Sequence, residues 1–451
     1  MSVVPGTPAL RGRTGRRRPH RAWAVAGVAF LALVAAAAFR SSTGVLIEPV
    51  EVYFGWSRVS TSGAVSLNLA VYGLTAPFAA ALMERFGLRR VALVALGLVA
   101  AGSAGTLAMT QPWHLAVLWG VVVGFGTGSL APVFGAVVAN RWFVDRRGLV
   151  TGVFAAASAT GQLAFLPLVA VLVSTAGWRT ASLVVSALAL ACALPVGLLL
   201  HDRPADVGAL PYGVSDPDDP RIPRTAPAGR VGGAGGGRGE RAPGPGRAAV
   251  AELVRCLRVP TFWLLAGTFF VCGWSTNGLV GTHFVAAAHD HGMPTTTAAG
   301  LLAVVGMFDI VGTVASGWLS DRVDPRLLLL AYYGLRGLSL LAVPAVLGPH
   351  VDPPLLFFVA FYGLDWVATV PPTVALCREH FGLARSGVVF GWVFASHMVG
   401  AAVAAAFAGA VREATGTYSP AWWTAGGLCL VAAVACLAVR REPEPARDAV
   451  G

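Results

Sequence analysis

Four ionisable side chains lie inside long apolar stretches of the 451-residue sequence: Arg40, Asp309, Arg336 and Asp365. A charge at the centre of a membrane helix costs about 2.5–3.5 kcal/mol, so four unpaired charges would cost on the order of 10 kcal/mol. The four formal charges cancel, which favours pairing or contact with water inside a protein. At a rise of about 1.5 Å per residue, Asp309, Arg336 and Asp365 fall at a similar depth, and Arg40 falls nearer the predicted outer side.

Buried arginines and aspartates of this kind can bind an organic anion together with a proton. The planar guanidinium offers two parallel donors to a carboxylate. The acids would compete with the substrate for arginine, or would take up a proton while the arginine is engaged. The other interpretation is a static ion-pair network that holds the eighth, ninth and tenth spans together. For Arg336 and Asp365 the two interpretations have equal support.

Six further polar side chains fall within predicted spans and are weaker candidates for lining a cavity. Lone polar residues in a helical bundle also hydrogen-bond one helix to another, so each has a purely structural alternative. These residues are Asn68, Tyr72, Gln162, Asn277, His283 and His397.

Motifs for catalysis and for nucleotide binding do not occur in the sequence. It has no GxSxG, no HExxH and no GxxxxGK[ST], so we expect neither an enzyme nor a chain that hydrolyses ATP. His289-Asp290-His291 lacks a further ligand cluster, and the six cysteines have no CxxC spacing. We therefore expect no metal site and no cofactor.

The composition is that of a membrane protein. Hydrophobic residues make up 56% of the sequence and charged residues 12%, about half the charged share of soluble domains. The formal charge of +11 comes from arginine alone, as expected of a GC-rich bacterial genome, and it lies between apolar blocks rather than on one domain. This distribution argues against nucleic acid as a partner and predicts a protein embedded in the lipid bilayer.

Twelve apolar segments are long enough to cross the membrane, since a spanning helix needs about 20 residues. A basic tail (1–21) precedes six spans in 22–200, and six more occupy 259–440 before a short tail, 441–451. The segment between the halves, 201–258, is rich in Pro, Gly and Arg and is predicted to be a flexible linker. The predicted spans are 22–45, 61–82, 91–110, 114–138, 149–173, 180–200, 260–287, 296–319, 327–347, 354–376, 386–410 and 420–439.

The arginines predict the orientation of the chain. With a cytoplasmic N-terminus, the inner segments hold 28 of the 33 arginines, and the outer loops hold only Arg58, Arg179 and Arg412. Short inner loops enriched in arginine are the rule for membrane proteins. We expect a multi-pass protein of the plasma membrane with both termini in the cytoplasm.

The two halves repeat one another. Glu84-Arg85 follows the second span and Asp321-Arg322 follows the eighth, at an offset of 237 residues. The pairs Phe143/Phe381 and Arg147/Arg385, after the fourth and tenth spans, are offset by 238 residues. Two loop pairs that agree within one residue predict a duplicated six-helix unit. In transporters built from such repeats, the substrate site lies at the repeat interface near the membrane midplane.

The loop Gly317-x-Leu319-x-Asp321-Arg322 resembles the cytoplasmic signature of the major facilitator superfamily. The resemblance implies an all-α membrane protein with twelve transmembrane helices in two pseudo-symmetric six-helix bundles. An acid at a helix end among arginines can join neighbouring helices in one conformation, so we interpret both loops as conformational latches. The alternative is that the charged residues of these loops only set the orientation of the chain in the membrane. The latch residues are Glu84, Arg85, Arg89, Asp321, Arg322 and Arg326.

A narrower resemblance is to the monocarboxylate porter and oxalate–formate exchanger group. Trp142 to Gly152 is similar to that group's loop signature between the fourth and fifth spans, carried by Phe143, Arg146, Arg147 and Gly152. The stretches Phe39 to Thr43 and Gly306 to Ile310 match it at Arg40 and Asp309. Two features of the group differ: its arginine one turn after the aspartate is Thr313 here, and its acidic, glycine-rich opening to the first span is missing.

The resemblance implies a secondary active transporter of small organic anions such as monocarboxylates, working by alternating access as a monomer, with the proton as coupling ion. One alternative is an exporter of neutral or cationic drug-like molecules on the same fold. Such an exporter predicts an acid-dominated cavity, whereas the buried charges here are balanced. Another alternative is a multipass sensor or enzyme, which predicts clustered catalytic residues or a folded soluble domain.

Overall fold

The computed structural model describes residues 20–217, 219 and 244–439, and nearly all of them are helical. We number the membrane helices α1 to α12. The N-terminal half comprises Arg21–Phe54 (α1), Arg58–Phe86 (α2), Leu88–Gly105 (α3), Pro112–Trp142 (α4) and the continuous Arg147–Leu199, which is α5 and α6. The C-terminal half comprises Pro260–Asp290 (α7), Thr295–Ser320 (α8), Pro325–Val346 (α9), Pro353–Phe381 (α10), Ser386–Thr415 (α11) and Ser419–Leu437 (α12).

Gly177 separates α5 from α6. Its φ of 82° and ψ of 166° interrupt the helical backbone, a conformation that glycine adopts without steric cost. Within the described residues, nine helices are long and apolar enough to cross a membrane, or ten if the bent pair Pro245–Cys256 and Pro260–Asp290 counts as one span. The first part of α1, Arg21–Ala37, is also apolar but is by itself shorter than these spans. The helices agree with the predicted spans to within a few residues, although α1 and α2 extend further.

Each half forms one bundle, and the two bundles meet along two helix pairs. In the N-terminal half α1 packs on the α5–α6 segment, and in the C-terminal half α9 packs on α12. Between the halves, α5 contacts α8 and α2 contacts α11. These two contacts are equivalent under the predicted duplication, since α8 and α11 repeat α2 and α5.

Both α4 and α10 are broken before a proline at equivalent positions. The last segment of α4 begins at Pro132, and that of α10 begins at Val370 with Pro371 and Pro372 in its first turn. Proline lacks the N–H that continues a helix from the preceding turn, so each break follows from the local sequence. Pro132 and Pro371 are offset by 239 residues, which extends the repeat seen in the loops.

The structure differs from the predicted flexible linker at both of its ends, while residues 220–243 lie outside the described residues. After α6, the backbone of Tyr212 pairs with Phe143, and its ring lies 5.5 Å from that of Trp23. Before α7, residues Pro245–Cys256 form an α-helix, which we call the linker helix. The two segments are short and lie within 58 residues that are rich in Pro, Gly and Arg overall, yet each buries apolar side chains against the bundle.

Candidate functional site

A cavity of about 740 Å³ lies between the two halves. Helices α2, α4 and α5 line it from one half, and helices α7, α8, α10 and α11 line it from the other. Its lining is mostly apolar, with a few polar groups. The lining residues with polar side chains are Ser66, Tyr72, Cys272, Thr276, Asn277, Thr282, Asp309, Trp366 and His397.

Asp309 of α8 faces this cavity although its side chain is only 2% exposed. Its Oδ1 accepts a hydrogen bond from the Thr313 hydroxyl at 2.7 Å and another from the backbone N–H of Val367 at 3.1 Å. Thr313 lies one turn along the same helix, and Val367 lies in the break of α10. Both donors are uncharged.

The break in α10 supplies that free N–H and also frees carbonyl oxygens. Four residues, 366–369, separate the end of helix Pro353–Asp365 from the start of helix Val370–Phe381. The Arg336 guanidinium of α9 donates from Nη2 to the carbonyl oxygens of Asp365 at 2.5 Å and Trp366 at 3.3 Å. Backbone groups at a helix end inside a membrane protein need such partners, because lipid offers none.

Arg336 is fully buried and pairs with the side chain of Asp365, with Nε 2.5 Å from Oδ2. Its Nη1 lies 3.3 Å from Cys272 Sγ and 3.4 Å from Ser275 Oγ, both on α7. The pair therefore joins α7, α9 and α10 behind the cavity, and neither member lies among the residues that line it. Asp309 contacts the same break through Val367, which agrees with the similar depth predicted for the three residues.

The weaker candidates divide into two groups. Tyr72, Asn277 and His397 line the cavity, and Asn277 Nδ2 lies 3.3 Å from His397 Nε2. Asn68 and His283 hold helices together instead. The Asn68 amide donates to the carbonyl oxygen of Trp119 at 2.6 Å, and His283 Nε2 lies 2.9 Å from that of Ala405.

Two predicted site residues lie on described helices, but their side chains are outside the described part of the structure. Arg40 belongs to α1, and Gln162 belongs to Arg147–Leu199. For the rest of the site, a search of the described residues finds no group of three or more His, Cys, Asp or Glu that could hold a metal ion.

Asp321, one of the predicted latch residues, joins the two halves. Its carboxylate accepts hydrogen bonds from the backbone N–H groups of Gly148, at 2.6 Å, and Leu149, at 3.0 Å. These N–H groups belong to the first turn of α5, where helical backbone donors have no partner within the helix and the helix dipole favours an anion. The end of α8 is thereby held at the start of α5.

The glycines around this contact allow the helices to approach unusually closely. A Cβ atom on Gly152 would lie 2.6 Å from the carbonyl oxygen of Thr313, and one on Gly148 would lie 2.4 Å from that of Gly317. The same holds where α2 meets α11, since a Cβ on Gly391 would lie 2.5 Å from Pro77 Cα. We call the α5–α8 contact at Gly148, Gly152 and Gly317 the closed end of the cavity. It lies on the predicted cytoplasmic side.

The remaining residues of the loop signature shape the turn before α5. Phe143 is fully buried and packs on Trp23 and Tyr212, with ring centroids 5.2 and 5.7 Å apart. Arg146 has a φ of 63°, the one positive value among the described residues other than glycine. Arg147 donates from Nε to the Phe143 carbonyl oxygen.

The equivalent loop of the N-terminal half is arranged differently. Glu84 pairs with Arg141 of the same half, with 2.7 Å between Oε1 and Nη2. In the same loop, the Arg85 guanidinium lies 5.5 Å from the Phe86 ring, and the backbone N–H of Arg89 donates to Asp202.

The two predicted latch arginines of the C-terminal half contact residues of their own half. Arg322 lies over the ring of Trp318 at 4.0 Å, and Arg326 pairs with Asp324 at 2.8 Å.

Sequence reasoning missed Val367, Gly148 and Leu149 because they contribute backbone atoms. The pair Pro371-Pro372 within an apolar span was the available signal for the break that frees the Val367 N–H. Thr313 stands where the monocarboxylate group has an arginine, and its hydroxyl is one of the two donors to Asp309.

Comparison with known proteins agrees with this architecture. The family profile of the Major Facilitator Superfamily matches residues 28–405. Human monocarboxylate transporter 11 is 28% identical over 421 residues, which cover 90% of this chain and 80% of that protein. The MFS-type transporter YcxA of Bacillus subtilis (strain 168), named as uncharacterized, is 25% identical over 408 residues and covers 89% and 91% of the two chains.

Solved structures show the same fold at low sequence identity. The human organic anion transporter MFSD10 (TETRAN) superposes with a TM-score of 0.69 at 15% identity, covering 93% of this chain and all of that one. The transporter FucP in the outward conformation superposes with a TM-score of 0.66 at 16% identity, covering 93% of this chain and 99% of that one. These likenesses confirm the predicted fold of two six-helix bundles. The chain belongs to the Major Facilitator Superfamily and is a multi-pass membrane transporter, not an enzyme.

Proposed function

We propose that this transporter carries small organic anions of the monocarboxylate type by alternating access, with Asp309 as the residue that binds the coupling proton. The observation that carries the proposal is the position of Asp309, which is buried, lines the cavity between the halves and accepts hydrogen bonds from two uncharged donors. A carboxylate held this way within a membrane protein can avoid the cost of an uncompensated charge by binding a proton.

The cavity suits a small molecule. Its 740 Å³ falls within the range of about 300–1,000 Å³ that is usual for ligand pockets. Such pockets combine apolar walls with a few polar groups that orient the ligand. Asn277 and His397 are the proposed orienting groups, because they lie next to each other on α7 and α11 and face the cavity.

Arg40 is the proposed ligand of the substrate carboxylate. It is the one arginine in the predicted first span, and its position matches the monocarboxylate group, as does that of Asp309. Monocarboxylate transporters are among the relatives that match over most of the chain. Arg336 is a weaker choice for this role, since Asp365 and two carbonyl oxygens occupy its guanidinium.

Alternating access requires the closed end to open while the opposite side closes. The Asp321 contacts with Gly148 and Leu149 stabilise the state in which α5 and α8 touch. When α8 moves away from α5, those two N–H groups become free for water. The carboxylate thus favours one of the two states, which is how the predicted latch would act.

A screen in proteoliposomes tests the proposal. Uptake of labelled lactate, pyruvate, formate and oxalate is measured with and without an imposed pH gradient, beside empty liposomes. We expect at least one of the monocarboxylates to accumulate, and a gradient that is acidic outside to increase its uptake. Failure of the whole panel to enter, together with transport of an organic cation, would overturn the anion assignment.

The alternative of an exporter for neutral or cationic molecules has one observation in its favour. Among the described residues that line the cavity, Asp309 is the acid and none is an arginine. The two functions differ in the effect of Arg40→Gln. The substitution should weaken binding of an anion, whereas it should leave binding of a cation unchanged or strengthened.

We also propose that the protein resides in the plasma membrane as a monomer with both termini in the cytoplasm. Support comes from the arginine distribution, with 28 of the 33 arginines in predicted inner segments. A cysteine introduced by Glu240→Cys should react with an impermeant maleimide only after the cells are opened. Reaction in intact cells would contradict this orientation, because it would place residue 240 outside the cell.

A further inference from the structure

The linker helix, Pro245–Cys256, lies across the end of α7 rather than along it. The two helices meet at an angle of 103° around residues 257–259. A helix nearly perpendicular to a membrane-spanning neighbour lies close to the plane of the membrane. Its position before α7 places it at the same end of the bundle as the closed end of the cavity.

One face of the linker helix is bound to the bundle. Ala249, Glu252 and Cys256 are buried, and the Ala249 carbonyl oxygen accepts a hydrogen bond from the Trp392 indole at 3.0 Å. Glu252 pairs with Arg385, with 2.5 Å between Oε1 and Nη2. The hydrogen bond that Arg385 donates to the Glu252 carboxylate raises the pKa of Arg385, so this arginine stays charged. These contacts leave the opposite face uncovered.

The uncovered face is divided into an apolar side and a basic side. Val250 and Val254 are 46% and 48% exposed, and at 100° per residue they fall on one side of the face. Leu257, which is 41% exposed, follows in the turn that ends the helix. Arg247 is exposed on the adjoining side of the helix, and Arg258 is exposed in the same turn as Leu257. This is the pattern of a helix that lies in the interface between acyl chains and head groups.

We propose that the linker helix binds anionic phospholipids, with Val250, Val254 and Leu257 against the acyl chains and with Arg247 and Arg258 on the phosphates. The bend at α7, which places the helix close to the plane of the membrane, favours a lipid surface over a soluble partner. Trp263, in the first turn of α7, is 58% exposed, and its indole donates to the Leu257 carbonyl oxygen at 2.9 Å. Tryptophan is enriched at this level of the membrane.

The head-group contact is tested with purified full-length protein and two lipids. Retention of phosphatidylglycerol and of phosphatidylcholine is measured by native mass spectrometry for the parent, for Arg258→Gln and for Arg90→Gln. Arg90 is an exposed arginine at the start of α3, so it controls for net charge. We expect Arg258→Gln to lower phosphatidylglycerol affinity about fivefold, which corresponds to about 1 kcal/mol for one arginine near the surface. An equal loss in both variants, or a loss in neither, would overturn the proposal.

The apolar contact is tested with a nitroxide label at Val254→Cys in liposomes of phosphatidylcholine and phosphatidylglycerol. Val431→Cys, on the exposed face of α12, calibrates lipid contact, and Asp352→Cys, in the loop before α10, calibrates water. We expect the label at position 254 to collide with oxygen as the one at position 431 does. Collision mainly with a water-soluble nickel chelate would contradict the proposal. Protection from both reagents would also contradict it, because protein would then cover the face.

Discussion

The carboxylate of Asp321 accepts a hydrogen bond from the backbone N–H of Gly148 at 2.6 Å, and this contact joins the residue that directly follows α8 in one half to the first turn of α5 in the other half. Among the described residues, its counterpart Glu84 pairs with Arg141 within its own half. Although the sequence repeats the acid–arginine loop, the described contacts assign the bond between the halves to the C-terminal copy.

Removing that carboxylate should destabilise the closed end. Loss of an acceptor at a helix N-terminus costs about 0.5–2 kcal/mol, so Asp321→Ala should reduce the closed population about two- to thirtyfold relative to the open one. Asp321→Asn keeps an acceptor and loses only the interaction of charge with the helix dipole, about 0.3–1 kcal/mol. The distance between spin labels at the exposed positions 86 and 323 reports the two populations.

Asp324→Ala is the matched control for this experiment. Asp324 lies three residues further along the same loop, and its carboxylate accepts hydrogen bonds from the backbone N–H and the guanidinium of Arg326 in the same half. It should leave the label distance unchanged. If Asp321→Ala gives the parental distance distribution and turnover, the acid only helps to set the orientation of the chain in the membrane, and the latch interpretation is wrong.

Gly152→Ala should also open the closed end. Its Cβ would lie 2.6 Å from the Thr313 carbonyl oxygen and 3.0 Å from Gly317 Cα, and backbone atoms cannot move aside without separating α5 from α8. We expect a longer distance between the same labels and slower transport. Gly97→Ala is the control, because a Cβ at that helical position meets nothing within 4 Å. An unchanged distance in Gly152→Ala would show that the helices tolerate the extra atom.

Asp309→Asn should separate substrate exchange from proton coupling. The asparagine keeps an oxygen for the Thr313 hydroxyl and the Val367 N–H, so the α8–α10 contact is retained. Because it cannot gain or lose a proton, accumulation driven by a pH gradient should vanish, while counterflow of substrate persists. Full pH-driven accumulation in this variant would exclude Asp309 as the coupling site and make Asp365 the next residue to test.

Arg40→Gln should weaken anion binding without preventing folding. Glutamine retains donors but lacks the charge, and a hydrogen bond to a charged group is worth about 1.5–3 kcal/mol. The apparent affinity for the substrate identified in the screen should fall roughly ten- to a hundredfold. Arg179→Gln, at the predicted outer end where the guanidinium lies over the Tyr53 ring, should bind as the parent does. Equal affinities in the two variants would remove Arg40 from the site.

The Arg336–Asp365 pair can be assigned to structure or to transport by a double variant. Removing only Arg336 leaves a buried carboxylate, and breaking a buried pair costs about 3–5 kcal/mol. Arg336→Met should therefore lower the melting temperature strongly, and Arg336→Met with Asp365→Leu should recover much of the loss. Recovery of transport along with stability would mark the pair as structural. Recovery of stability alone would place the pair in the transport cycle.

The sequence by itself determined the class of fold. Twelve apolar segments must become helices in a bilayer because lipid offers no partner for backbone N–H and C=O groups. The loop repeats at 237 and 238 residues predict the duplication, and the resemblance to the family signatures predicts functional roles for Asp309 and Asp321. All of these signals are local in the chain or periodic along it, so no knowledge of packing was needed.

Only the tertiary structure decided which groups meet. It paired Arg336 with Asp365 and gave Asp309 two uncharged donors, because the break in α10 exposes an N–H on one side and two carbonyl oxygens on another. It also gave Asp321 the free N–H groups of α5, 172 and 173 residues away along the chain. These partners are backbone atoms, which every residue type carries. Only the approach of one helix to another selects which of them an acid or an arginine contacts.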